Sequence, residues 1–277
     1  MAKRTWLITG ISSGLGRSIT QSAMDAGDYV IGTFRQKAQV DDFNLQHKGI
    51  AEAFLLDLTS QTQIENLALE IQQRNLKVDV LVNNAGIGFV GAIEESSMEE
   101  LRHVFEANFF GSFRLTQLIL PMMQAEGKGK IVQISSHGGF KAFAGFGVYN
   151  ASKFALEGFS EALAQEIAPL GIKVCIVEPG PFRTEFAGAK LVEAKRQIPA
   201  YQANAGAFRK KLKSVHGKQE GDPKKAAEAI LKWVDEELDV LRLPLGKIAL
   251  NSLNSKLQSV AQDLEKSTSI ATGAVFS

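Results

Sequence analysis

Short apolar runs recur along this chain, at residues 6–9, 29–34, 53–56, 78–82, 131–134, 173–177 and 240–243. Most lead through a polar or glycine-containing turn into a stretch with apolar residues at helical spacing. Runs this short are too brief for helices, and their unbroken hydrophobicity fits strands covered on both faces. Strand alternating with helix predicts an α/β fold, a doubly wound parallel sheet of about seven strands with helices on both faces. Such sheets bind ligands beyond the carboxyl ends of their strands. Gly10, Arg35, Asp57, Asn84, Ser136 and Pro179 all fall at such ends, which makes them candidates for one rim.

At the first end, Thr9 leads into Gly10-Ile11-Ser12-Ser13-Gly14-Leu15-Gly16 and then a helical pattern through Ile19 and Ala23. Glycines let a ligand approach the backbone, and a helix N-terminus offers free N–H groups with partial positive charge. Gly10, Ser12, Ser13, Gly14, Leu15 and Gly16 are therefore candidates for a phosphate cradle. At the second end an acidic residue would accept from a ribose 2′-OH, but Phe34 fills that position and Arg35 follows. A guanidinium suits a 2′-phosphate, so NADP(H) is favoured over NAD(H).

Asp57 and Leu58 close the third run. Asp57 either accepts from an adenine amino group or caps the helix over 61–73. The fourth run closes on Asn83-Asn84-Ala85-Gly86, where asparagine side chains can bridge strand ends and the small residues leave room for a flat group. Ser97-Met98-Glu99-Glu100 has the form of a capping box. The helix it opens runs towards Asn108, and a further apolar helix covers about 109–123. Asparagine is unfavourable inside a helix, which leaves Asn108 either a polar task or a helix–helix contact.

The stretch from Ser135 to Lys153 joins the fifth strand to a long amphipathic helix carrying Leu156, Phe159, Leu163 and Ile167. Tyr149 and Lys153 lie four apart on it and share a face. A neighbouring ammonium favours the phenolate and brings the phenol towards a general acid or base. Ser136, at the preceding strand end, is placed to hydrogen-bond the same substrate oxygen. After the sixth strand come Pro179, Gly180 and Thr184. Residues 185–221 mix charged and apolar positions with little to anchor them, and read as one or two mobile helices over the site. A helix opens at Pro223, and a last helix covers 247–265 with a frayed tail.

Composition narrows the function classes. The chain has 277 residues, 45% of them hydrophobic and 22% charged, with a net charge of +1. It is long enough to bury a core unaided, and its charge gives no reason to expect nucleic acid as a partner. Cys175, the only cysteine, excludes an internal disulfide and reads as core filler. No apolar run reaches bilayer length and the first residues read as a strand rather than a signal peptide. No membrane contact and a cytoplasmic location are expected, and no metal.

Taken in order, Thr9-Gly10-x-x-x-Gly14-x-Gly16, Asp57, Asn83-Asn84-Ala85-Gly86, Asn108, Ser136, Tyr149-x-x-x-Lys153 and Pro179-Gly180 resemble the marks of the short-chain dehydrogenase/reductase family, in its short single-domain branch. The match covers about two-thirds of the chain, and Arg242-Leu-Pro-Leu-Gly246 looks like a subset of bacterial members. The resemblance implies a Rossmann-type sheet in a single domain over 1–277, with about 185–221 covering the substrate. It implies hydride transfer between NADP(H) and a ketone or secondary alcohol. Tyr149 is then the acid/base and Ser136 holds the oxygen. Lys153 lowers the Tyr149 pKa and binds the nicotinamide ribose, Asn108 holds a relay water, and Thr184 lies near the carboxamide. His137, Phe140, Phe143, Phe182 and Phe186 are expected to line a pocket for a bulky apolar substrate. A homodimer or homotetramer is expected through the helices near 109–123 and 149–168. The rival readings are the same reaction with NAD(H), a catalytically weak NADPH-binding regulator, and a sugar epimerase of the extended branch.

Overall fold

The computed structural model describes residues 4–188, 190–236 and 238–276. Strands β1 (Thr5–Ile8), β2 (Tyr29–Phe34), β3 (Ala51–Leu55), β4 (Val80–Asn83), β5 (Gly88–Val90), β6 (Gly129–Ile134), β7 (Ile172–Pro179), β8 (Leu191–Glu193) and β9 (Arg242–Leu245) alternate with helices. The helices are α1 (Gly14–Asp25), α2 (Lys37–Gln46), α3 (Gln61–Gln73), α4 (Met98–Phe105), α5 (Gly111–Glu126), α6 (Gly147–Ile167), α7 (Ala207–Ser214), α8 (Pro223–Glu236) and α9 (Lys247–Thr272). Seven strands form one parallel sheet in the order β3-β2-β1-β4-β6-β7-β9, and β5 pairs with β8 in a second, two-stranded one. The expected doubly wound sheet is the fold observed.

Side chains alternate across the strands, so each run feeds two cores. Trp6, Ile8, Val30, Val80, Val82 and Val132 meet Ile19 and Ala23 of α1 and Ile230, Trp233 and Val234 of α8. Leu7, Ile31, Leu81, Ile131 and Val174 meet α3, α5 and α6 on the opposite face. Register holds this division, with Trp6 beside Val30 and Leu7 beside Ile31. Asp28 secures the amino ends of the sheet. It accepts from the Trp6 indole at 2.8 Å and from Arg4 Nε at 3.0 Å. The outer edges are occupied differently. The Asn44 side chain accepts from Ala53 N at 2.6 Å and donates to Ala53 O at 3.0 Å along β3. On the opposite edge β9 carries Pro244 beside Glu178 of β7.

Several element boundaries differ from the sequence reading. The last strand lies two residues later than expected, because β9 takes its register from β7, with Arg242 beside Ile176, and an edge strand tolerates Pro244. The helix towards Asn108 does not end there. Glu106–Phe110 forms a π turn joining α4 directly to α5. The final helix continues to Thr272 where a frayed tail from about 266 was expected, and it stands exposed over its last turns.

The segment over 185–221 also departs from expectation in having firm anchors. Strand β8 pairs with β5. Ile198 N donates to Glu95 Oε1 at 2.9 Å and Lys195 N to Glu100 Oε1 at 3.0 Å. Arg209 of α7 is buried and reaches Glu95 at 3.0 Å. These contacts join positions about a hundred residues apart, which local spacing does not display.

Helix α5 starts where its backbone passes close to the chain after β3. A Cβ on Gly111 would stand 2.4 Å from the Leu58 carbonyl oxygen. Gly111→Ala is expected to destabilise the fold by about 1–3 kcal/mol through overpacking, read as a lower denaturant midpoint.

Candidate active site

Strand order reverses between β1 and β4, and a crevice opens beyond the carboxyl ends of these strands, as the doubly wound topology requires. The cavity there has a volume of about 1240 Å³. It runs from the Gly10–Leu15 turn, Arg35, Asp57 and Leu58 past Asn84–Gly86 to Ser136, Tyr149 and Lys153. Pro179, Gly180 and Thr184 line it as well. Of the residues singled out in the sequence for cofactor or chemistry, Gly16 and Asn108 stand behind this wall rather than in it.

Gly16 has a packing reason. A Cβ there would lie 2.3 Å from Asn84 Nδ2 and 2.5 Å from Gly10 O. The Asn84 amide donates to Thr9 O at 2.8 Å and Gly10 O at 3.1 Å. The Asn84 and Ala85 N–H groups both donate to Thr9 Oγ1, at 2.9 and 3.0 Å. Asn84 thus ties the end of β4 to the end of β1. Ser13 occupies the N-cap of α1 without a side-chain capping bond, and no acidic residue occupies the first turn. The helix end therefore faces the cavity with its N–H groups and partial positive charge.

The two readings of Asp57 can be compared directly. Ser60, not Asp57, caps α3, accepting from Gln63 N at 3.4 Å. Asp57 Oδ1 accepts from Thr59 N at 2.9 Å and Thr59 Oγ1 at 2.8 Å. The side chain is fixed at the cavity wall by this local turn. Arg35 is exposed at the same end of the cavity.

At the inner end, Ser136 Oγ accepts from Gly138 N at 2.9 Å. A Cβ on Gly138 would meet Ser136 Oγ at 3.2 Å and Tyr149 Cε1 at 3.4 Å, so the missing side chain lets hydroxyl and phenol converge. The Tyr149 ring packs on Phe146 and Phe186, with centroids 4.8 and 5.4 Å away. Lys153 Nζ donates to Ile134 O at 2.8 Å. Asn108, in the π turn, accepts from Ile87 N at 2.8 Å and donates to Ile87 O at 3.0 Å and Ser152 Oγ at 3.1 Å. Its Oδ1 and Lys153 Nζ both flank Gly86, at 3.0 and 3.6 Å from the position of an added Cβ. Both readings of Asn108 have a counterpart here, since it bonds the helix α6 and also neighbours the lysine.

Burial governs the charges. Tyr149 and Lys153 are 4% and 5% exposed. Desolvation pushes the phenol up to about 12, with Ser136 pulling the other way. The same desolvation brings the Lys153 ammonium down to about 8, opposed by Glu157 one helical turn on. The phenol is set by burial and by Ser136, with the sequence expectation having placed Lys153 in that role. The Lys153 amine bonds to the Ile134 carbonyl rather than to the phenol.

The expected apolar pocket is partly right. His137, Phe143, Phe182 and Phe186 line the cavity, but Phe140 does not. Phe140 lies under the Arg242 guanidinium, 5.0 Å from it. Arg242 also contacts Glu157 and Glu161 and reaches Glu178 at 2.6 Å, which accounts for an arginine on the last strand. The His137 ring is held neutral at pH 7, its pKa lowered to about 4 by burial and by Lys141. Phe146, Phe208, Leu212, Val215 and Ile248 also line the cavity. Phe208, Leu212 and Val215 sit at i, i+4 and i+7 on and beyond α7, a spacing that was legible. The sequence reading went no further than a general cover over this stretch.

A deep crevice at the switch point of a parallel sheet, with a glycine turn at one end and a tyrosine–lysine pair at the other, places this chain among the Rossmann-type α/β oxidoreductases. A family model described as short chain dehydrogenase matches residues 4–195. The solved structure of a short-chain dehydrogenase from Streptomyces avermitilis is 45% identical, with a TM-score of 0.93 over 99% of this chain and 100% of that one. Oxidoreductase BOA17 of Botryotinia fuckeliana is 34% identical over 95% of this chain and 96% of its own length. A 3-ketodihydrosphingosine reductase of Bacteroides thetaiotaomicron is 36% identical over 87% of each chain. The chain belongs to the short-chain dehydrogenase/reductase family.

The buried lysine offers a direct measurement. Lys153 is expected to titrate near about 8 in NMR of the labelled side chain, against an ordinary 10.5. Glu157→Gln removes the charge that opposes desolvation and should move the transition lower still.

Proposed function

We propose that the protein is an NADP(H)-dependent oxidoreductase that interconverts a bulky apolar ketone and its secondary alcohol. The observation that carries the reading is the meeting of Ser136, Tyr149 and Lys153 at the inner end of a cavity whose outer end holds the glycine turn and Arg35. The donor set fits a dinucleotide. The uncapped first turn of α1 suits a pyrophosphate, Asp57 and Leu58 suit the adenine, and Arg35 suits a ribose phosphate. Asn84–Gly86, Pro179, Gly180 and Thr184 border the space left for a flat ring. The cavity exceeds the usual pocket size of about 300–1,000 Å³, leaving room for a second molecule.

When bound, the nicotinamide supplies the hydride. The remaining work falls to the side chains. Ser136 hydrogen-bonds the carbonyl oxygen and stabilises the charge that develops there. Tyr149 gives its proton to that oxygen, and a phenol held protonated by burial is ready for the reductive direction. Lys153 supplies positive charge beside the site below about pH 8 and is the group to hold the ribose hydroxyls. Asn108 holds Ile87 and α6 in place and borders the route for a relay water. Phe143, Phe146, Phe186 and Phe208 make the substrate side apolar, and the name of the Bacteroides relative, a reductase of 3-ketodihydrosphingosine, agrees with that choice. Assembly into a homodimer or homotetramer through α5 and α6 fits the exposed Phe110 and Phe154 beside and on them.

Two substitutions test this reading against its alternatives. Tyr149→Phe should lower kcat on a ketone panel by roughly 100-fold or more, with NADPH binding retained. Near-full activity would remove Tyr149 as the acid. Arg35→Ala should weaken NADPH binding by roughly tenfold and leave NADH binding unchanged. Equal affinity of the wild type for both cofactors would favour the NAD(H) alternative.

A further inference from the structure

The cavity wall contains a cation that no expected role accounts for. Lys190 belongs to the segment after β7, yet its ammonium donates to Ser13 Oγ at 2.6 Å, a bond across 177 positions of sequence. Two other basic residues of this segment are matched by carboxylates. Arg209 pairs with Glu95 and Glu193, and Lys213 with Glu193. Lys190 has no carboxylate at ion-pair distance among the described residues. Its charged neighbours are Arg35, of the same sign, and more weakly Glu185. Burial and then the Arg35 guanidinium hold the ammonium below the usual lysine range. Two cations brought to one turn repel, and a neutral hydroxyl is a poor partner for an ammonium. An anion between them would relieve both problems.

The backbone is arranged to bring the segment here. Gly14 adopts a φ of +60°, and its added Cβ would stand 3.1 Å from Thr184 Cβ. The chain after β7 therefore closes directly on the glycine turn. From there the Lys190 N–H donates to Glu185 O at 3.2 Å, folding the segment back over the same wall.

We propose that Ser13, Arg35 and Lys190 form a two-sided clamp for a phosphate monoester, the 2′-phosphate of NADP(H), in which Lys190 fastens the covering segment to the bound cofactor. The clamp rests on the NADP(H) reading above and deepens it. Arg35 approaches from the sheet and is present whether or not the segment is closed. Lys190 approaches from the cover, so the phosphate that selects the cofactor also holds the stretch around Lys190 in place. A cofactor lacking that phosphate leaves the two cations facing each other and holds the segment less firmly.

Calorimetric binding of NADP⁺, NAD⁺ and adenosine 2′,5′-bisphosphate to the full chain tests the clamp, together with hydrogen exchange of the amides at 185–191. Lys190→Ala should weaken NADP⁺ and the bisphosphate by roughly tenfold and leave NAD⁺ within about twofold. Lys190→Arg should restore most of the loss. NADP⁺ should slow exchange at 185–191 in the wild type, and neither NAD⁺ nor the alanine variant should reproduce it. A wild type that prefers NADP⁺ with an alanine variant that loses nothing overturns the clamp and leaves the cofactor reading standing. Equal weakening of NADP⁺ and NAD⁺ in the variant overturns it too, since the contact would not be with the phosphate. A wild type that binds NAD⁺ as tightly as NADP⁺ overturns both. Unchanged thermal unfolding of the unliganded variants separates lost binding from lost folding.

Discussion

The crevice depends on a small lock between two strand ends. Thr9 Oγ1 receives two backbone N–H groups from the turn after β4, and the Asn84 amide reaches back to two carbonyls after β1. Thr9 is fully buried, so these bonds act in a low dielectric where leaving any donor unmet is costly. The lock sets how far β1 and β4 separate at the place where strand order reverses. It also explains two of the glycines without reference to any ligand. Gly10 has a positive φ of 71° and no room for a Cβ beside Ala85, and a side chain at Gly16 would collide with the Asn84 amide.

The fold was legible because its signal is periodic and local. Each strand of the large sheet announces itself as a short apolar run, and most crossovers as a helical stripe, so its topology followed from alternation. The rim residues were legible for the same reason, since strand ends are visible in a linear string. What stayed hidden was set by contacts between distant segments. Arg209 reads as a surface cation beside Lys210 and Lys211 until Glu95 is placed against it. Phe140 reads as one more pocket aromatic until Arg242 covers it. Lys190 reads as solvated until the segment folds back onto Ser13. The π turn at Asn108 was half visible, as an asparagine in the wrong place for a regular helix.

Electrostatics around α6 follow from one row of side chains. Tyr149, Lys153 and Glu157 lie at successive turns of a buried helix face, each in poorer contact with water than its ordinary titration assumes. Burial raises the phenol and the Glu157 carboxyl and lowers the amine, so every member is pushed towards its neutral form. Arg242 opposes this at the far end. Its guanidinium lowers the Glu157 and Glu178 carboxyls against their desolvation. A charge on the last strand is thereby linked to the helix that carries the tyrosine.

The two margins of the large sheet have a bearing on how copies of this chain can meet. Along β3 the Asn44 amide imitates an adjoining strand, occupying both hydrogen-bonding groups of Ala53. Along β9 Pro244 removes a donor. Exposed strand margins invite a neighbour to continue the ladder, and natural proteins blunt them. Here a single side chain interrupts each margin, which disfavours continuation of the ladder from either edge.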